Sequence, residues 1–250
     1  MIRWCPLMFS CLLTVANTTF ADTLKLTSLL WPPYSGYQLQ HQGASVAVAK
    51  AAFEQMEQQL IVDFYPWSRA IKLAVMPGSD YIGYFPEYYF ETDKFIFSKP
   101  IGIGPLGIVE QKSRPISWHH LADLNRYTLG IVQDYVNTDS LDVMIASGSQ
   151  PVEAATSDEQ NIKKVAAGRI DGAVIDINVL NYLLKQPHLQ PLADKLQVNR
   201  QLIANKQLYV AFRNTEEGRR WRDIFDQGLA KLDIDSIMGD LLFQQEALSQ

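Results

Sequence analysis

The stretch Gly168-Arg169-Ile170-Asp171-Gly172-Ala173-Val174-Ile175-Asp176 carries the reading of this chain. The residues before it, 158–167, have a helical pattern that Gly168 closes, because glycine takes the left-handed C-terminal conformation without steric cost. Gly172 to Ile175 is a short apolar run and reads as a buried strand. Asp176 then sets a carboxylate at the strand's C-terminal end, and a helical pattern resumes over 179–185. Asp171, at the start of the strand, reads as structural. A helix, a strand and a helix in so short a span imply a parallel sheet covered by helices.

The same unit recurs outward along the chain. A strand over 128–132, a helix over 139–146 and a strand over 152–155 precede it. Nearer the N-terminus, a strand over 24–30 stops at Trp31-Pro32-Pro33, and Gly43 opens a helix over 44–59. A strand over 60–64, a helix over 68–75 ended by Pro77-Gly78, and a strand over 81–84 follow. This order again implies a parallel sheet with helices on its faces. Two such sets, linked by apolar strands over 107–110 and 208–212, predict two lobes: 22–110 with 209–250, and 111–208. A helix over 215–232 has Trp221, Ile224, Phe225, Leu229 and Leu232 on one stripe, and with a last helix over 236–246 it returns to the first lobe.

Residues 1–21 read as an address. Arg3 supplies one positive charge, 7–16 is mostly apolar, and Thr19-Phe20-Ala21 places small residues where a signal peptidase cuts. That is the layout of a secretory signal peptide, and the run is too short for a membrane span. Cys5 and Cys11 are the chain's two cysteines, so cleavage near Ala21 leaves a thiol-free protein suited to an oxidising compartment. The full chain has 250 residues, 47% hydrophobic, with a net charge of −5 that becomes −6 without Arg3. Composition of this kind excludes a disordered chain, and the negative sign argues against nucleic acid as a partner.

Trp31-Pro32-Pro33-Tyr34, Gly43, Tyr65-Pro66-Trp67-Ser68-Arg69-Ala70, Phe97-Ser98-Lys99-Pro100, Leu129-Gly130-Ile131-Val132 and the opening stretch resemble, in order and spacing, one family. It is family 3 of the periplasmic solute-binding proteins, the amino-acid ABC-transporter type. The resemblance covers nearly all of the mature chain. It implies two α/β lobes joined by two strands, which close on a small solute and deliver it to an inner-membrane ABC permease. It also implies a monomer with no cofactor. Ligands of α/β sheets lie at strand C-terminal ends, which agrees.

Carried over residue by residue, the resemblance places Trp31 and Tyr34 against the ligand and Asp176 on its ammonium. The family's arginine, six residues before the Phe of Phe-Ser-x-Pro, is here Glu91. Its Gly-Thr pair after the strand over 129–132 is replaced across Asp134-Tyr135-Val136. Two readings of the pocket follow. In one, Glu91, Asp134 and Asp176, with Glu87, join Trp31, Tyr34, Trp67, Tyr84 and Tyr88 to hold a cationic amine through charge pairing and cation–π contact. In the other, Arg69 replaces the missing arginine and holds a carboxylate. Asp176 also has a purely structural role open to it, as the N-cap of the next helix.

Other functions find less in the sequence. Periplasmic lyases such as cyclohexadienyl dehydratase use the same fold, and Glu91 or Glu87 would be the general acid there. A sensor partnered with a signalling protein is a third class. No Gly-x-Ser-x-Gly elbow occurs, and His119-His120 are adjacent rather than on one helix face, so neither serine catalysis nor a metal site is expected.

Overall fold

The computed structural model describes residues 22–248; the expected signal peptide, with Arg3, Cys5 and Cys11, lies outside them. The chain opens with β1 (Thr23–Ser28), α1 (Ala44–Glu54), β2 (Gln59–Phe64), α2 (Trp67–Val75) and β3 (Tyr81–Tyr88). β1 pairs in parallel with β2 on one side and β3 on the other, which is the expected βαβαβ unit. α1 ends five residues before the predicted end. Glu57 takes a left-handed conformation and the Gln58 amide turns back to the Phe53 carbonyl at 3.0 Å, so the helix is capped and β2 begins.

The second half repeats the arrangement with β6 (Leu129–Val132), α3 (Asp139–Ala146), β7 (Val152–Ala155), α4 (Asp158–Ala166), β8 (Gly172–Asp176) and α5 (Ile177–Leu184). β6 lies between β7 and β8, parallel to both. α5 starts earlier than the 179–185 pattern because Asp176 caps it, accepting from the Asn178 and Val179 amides. Gly168 has φ +70, as its place after α4 requires.

Two long strands join the halves. β5 (Gly102–Gln111) and β10 (Ala204–Arg213) pair with each other over 102–106 and 204–208 and then diverge. β5 continues along β8 and β9 (Leu196–Val198), while β10 continues along β3 and β4 (Phe95–Phe97). The expected connectors, 107–110 and 208–212, are the C-terminal parts of these strands, where they have diverged onto β8 and onto β3 and β4; the paired segments that join the halves precede them. β4, β9 and the short α6 (Gln190–Ala193) had no pattern of their own in the sequence.

α7 (Glu216–Leu229) and α8 (Ile234–Leu248) return to the first half. α7 lays Trp221 and Phe225 against Phe53 of α1, with ring centroids 6.0 and 5.0 Å apart. The main hydrophobic core runs from Leu24 and Leu26 in β1 through Tyr34 and Tyr84 to Leu129 and Val174 in the second half. A smaller one, around Val109, Ile162, Ala173 and Ile175, belongs to the second half. Among the described residues no helix is long and apolar enough to cross a membrane.

Candidate functional site

The turn after β1 builds the first wall. Trp31 and Ser35 bridge across it, and Ser35 Oγ donates to the Leu29 carbonyl at 2.8 Å, fixing the turn from within. Gly43 presses on its back. With φ +103, a Cβ there would meet the Tyr34 carbonyl oxygen at 2.5 Å, so the position requires glycine. Tyr34 is thereby fully buried, with its ring stacked on Trp31 at a 4.7 Å centroid distance.

From this turn and from the start of α2, side-chain contacts cross to the second half. The Tyr34 hydroxyl lies 3.1 and 3.2 Å from the two carboxylate oxygens of Asp176. The Asn178 amide group donates to the same hydroxyl at 2.7 Å. At the N-terminus of α2, Trp67 Nε1 donates to the Asp134 carbonyl at 3.0 Å, and Ser68 Oγ donates to the Asp134 carboxylate. Asp134 has φ +63 and an exposed side chain, so it serves this contact from the rim. The halves are thus held shut.

Tyr135, next along, inserts its ring between two others. Its edge contacts place it 6.4 Å from Trp31 and 6.1 Å from Trp67. Trp67 also meets Tyr84 at 5.2 Å, and Trp31 meets Tyr88 at 6.2 Å. Two cavities adjoin this aromatic cluster. The inner one, about 20 Å³ and so little larger than a single water site, is bordered by Glu87, Tyr88, Val136 and Leu208. The outer one, about 430 Å³ and open to solvent, is bordered by Tyr37, Tyr65, Asp158 and Glu159. Leu29, Trp31, Trp67 and Tyr135 border both, so the two cavities adjoin at these side chains.

Three carboxylates surround the cluster, and each is almost fully buried: Glu87 is 5% exposed, Asp158 6% and Asp176 2%. Burial penalises their charge and pushes each pKa up. Glu87 rises to about 8, although it accepts the Tyr88 amide at 2.7 Å and the Tyr84 hydroxyl at 3.2 Å. Asp158 rises to about 7; the Tyr135 hydroxyl reaches it only at 3.5 Å. The Trp31 indole N–H lies near enough to stabilise the Asp158 charge but meets no acceptor at hydrogen-bonding geometry. Asp176 also rises to about 7, through burial and the nearby Asp158 charge, offset by its two backbone amides and Tyr34.

The structure brings Trp31, Tyr34, Trp67, Asp134 and Asp176 of the expected residues together at the cleft. Glu91 does not join them. β3 runs on through Pro86 to Tyr88, beyond the predicted end at Tyr84, so the carboxylate that faces the cluster is Glu87, and Glu91 lies exposed beyond the strand. Arg69 is exposed, with its guanidinium over the Tyr65 ring at 5.0 Å, and borders neither cavity. Asp158 was absent from the expected residues. Ser157 caps α4, and the acidic first turn that follows reads as an ordinary helix start.

Comparison with solved structures places this architecture. An ancestral arginine-binding protein bound to arginine superposes with a TM-score of 0.70 at 16% identity, covering 89% of this chain and 97% of that one. A histidine kinase sensor domain with similarity to periplasmic binding proteins gives 0.74 at 19% identity, covering 87% and 95%. An amino-acid ABC transporter substrate-binding protein from Streptococcus pneumoniae, bound to L-arginine, gives 0.69 at 16%, covering 90% and 94%. No family model matches the chain, and no curated protein does. The likeness defines a class by fold: the chain is a two-lobed periplasmic-binding-protein fold of mixed α/β structure, similar to the amino-acid-binding members of family 3.

Proposed function

We propose that the chain is a periplasmic solute-binding receptor of an ABC-type uptake system. It captures a small polar solute, a cationic amine or an amino-acid-like molecule, between its lobes and presents it to an inner-membrane permease. The lobes are 22–110 with 209–250, and 111–208, and the receptor acts as a monomer after cleavage near Ala21. The observation that carries this reading is the cleft itself. Tyr34, Trp67 and Ser68 bond across to Asp176 and Asp134, enclosing an aromatic and acidic cavity between the halves. A hinged pair of lobes that encloses such a space gains ligand affinity from closure.

A thermal-shift screen of the mature protein against amines, amino acids, dicarboxylates and sugars tests it. Stabilisation by one class is expected; no stabilisation by any of them would overturn the reading. N-terminal sequencing of exported protein is expected to begin at Asp22. The likeness to a kinase sensor domain supports a second reading, in which the closed form is read by a signalling partner. Uptake of labelled solute that depends on the chain separates the two.

A further inference from the structure

We propose that the solute is an organic amine cation that carries no carboxylate, and that Asp158 and Glu87 recognise its charge while Asp176 serves only to latch the lobes. This rests on the receptor reading above and names its ligand class and the residues that select it.

The first observation is what borders the space. Neither cavity is bordered by a lysine, arginine or histidine, whereas the buried Glu87 and Asp158 each border one of them; Glu159, at the outer rim, is already paired with Lys163 and His188. A ligand α-carboxylate taken into this space meets buried acids without a guanidinium or ammonium to receive it, which is costly in a low-dielectric site. Arg69 is turned out over Tyr65. Lys206 stands over the Tyr88 ring at 5.0 Å, and its charge is shared among Glu87, Asp139 and Asp142.

The second observation is which carboxylate has capacity left. Asp176 accepts from two backbone amides and the Tyr34 hydroxyl, and its Oδ2 sits so close to Gly104 that a Cβ there would overlap it. It has little room for a ligand ammonium. Asp158 has the Tyr135 hydroxyl at the outer limit of hydrogen bonding, with the Trp31 indole N–H and its own backbone amide nearby, although a carboxylate can accept about four bonds. A protonated amine would supply the missing donors.

The third observation is independent of the acids. Tyr88 borders the inner cavity and is more than nine-tenths buried, and among the described residues its hydroxyl has no hydrogen-bond partner. A hydroxyl oxygen accepts from an ammonium, and the Trp31, Trp67 and Tyr135 rings around it offer cation–π faces. Among the described residues no three His, Cys, Asp or Glu side chains are grouped to hold a metal ion.

Calorimetric titration of the mature protein with matched pairs tests the inference: agmatine against arginine, and cadaverine against lysine. Each pair differs only in the α-carboxylate. The amine is expected to bind at least tenfold more tightly than its amino acid. Asp158→Asn is expected to weaken agmatine at least tenfold, with its fold checked by circular dichroism, while Glu91→Gln stays within twofold of wild type. Equal or tighter binding of the amino acids overturns the inference and leaves the receptor reading intact, as does stabilisation only by a neutral or anionic solute. If no member of any class binds, both fall. The matched pairs decide on wild-type protein even where Asp158→Asn does not fold.

Discussion

Raising the pH destabilises the ligand-free closed protein, by an amount that the buried carboxylates set. Asp158 goes from an ordinary value of 3.8 to about 7 on folding, and Glu87 from 4.5 to about 8. Both pKa values are raised, so the folded state keeps protons that the unfolded chain has already released. The resulting stability is full below about pH 4 and is lost as the pH climbs through about 7 to 8. Integrated from about pH 5.5 to about pH 8.5, the loss is about 2 kcal/mol for Asp158 and about 3 kcal/mol for Glu87. For a chain of this size 1 kcal/mol moves Tm by roughly 2–4 °C, so Asp158 alone accounts for about 4–8 °C. These are upper bounds, because opening the cleft rehydrates both groups.

The assay is a set of thermal melts of the mature protein across that pH window, with Asp158→Asn and Glu87→Gln beside wild type. Wild-type Tm is expected to fall toward alkaline pH, and each neutral variant to flatten part of the slope. A bound cation restores the loss at high pH, since it needs the ionised carboxylates. A wild-type Tm that stays level or rises from pH 5.5 to 8.5, or two variants with the wild-type slope, would refute the argument that these acids are buried uncompensated.

Tyr34→Phe removes the hydroxyl that joins Asp176 to Asn178 and leaves both polar groups short of a partner. The closed form should lose about 1–3 kcal/mol, seen as a larger radius of gyration in solution scattering and a lower Tm. Gly104→Ala puts a Cβ against Asp176 Oδ2 and 2.9 Å from the Tyr34 hydroxyl, so it wedges the same latch from the connecting strand. Its fold should survive, because β5 remains paired, while solution scattering reports an opened cleft and ligand affinity drops at least tenfold. Arg69→Ala removes only an exposed guanidinium on Tyr65, and ligand affinity should stay within about twofold, a change of under 0.5 kcal/mol.

The alternation of elements was legible because each is dictated locally. Gly168 closes α4, and Asp176 both ends β8 and caps α5, so one stretch carried helix, strand and helix. What was not legible depends on the other half of the molecule. Asp158 sits in a helix start whose capping pattern accounts for it completely, and it is the tertiary fold that buries it beside Trp31 of the first half and Tyr135 of its own. Glu91 was placed by counting back from Phe97, a count that carries no information about where β3 ends. The strand pairs with β10 as far as Tyr88, and that pairing selects Glu87 as the inward carboxylate. Lys206 shows no pattern in the sequence because its neighbours Tyr88 and Glu87 come from a strand more than a hundred residues away.

The division between a latch and an anchor has a thermodynamic reason. The bonds from Tyr34, Trp67 and Ser68 are made whenever the lobes close, whatever the cleft contains, so they set how often the empty protein is shut. A ligand shifts that equilibrium only through contacts it makes better in the closed state than in the open one. Asp158 and Glu87 are almost fully buried in the closed form, and holding that form without a ligand means either protonating them or burying charge. A cation that neutralises them on closure removes that cost, which the latch bonds cannot do. The same acids that make the empty closed form pH-sensitive are therefore those through which a cationic solute would gain its closing power, and agmatine affinity should rise with pH from about 6 to 8, by up to tenfold per unit for each carboxylate still protonated. Isothermal titrations at three pH values in that range check it; an agmatine affinity that is flat or falls with pH would separate the acids from the ligand.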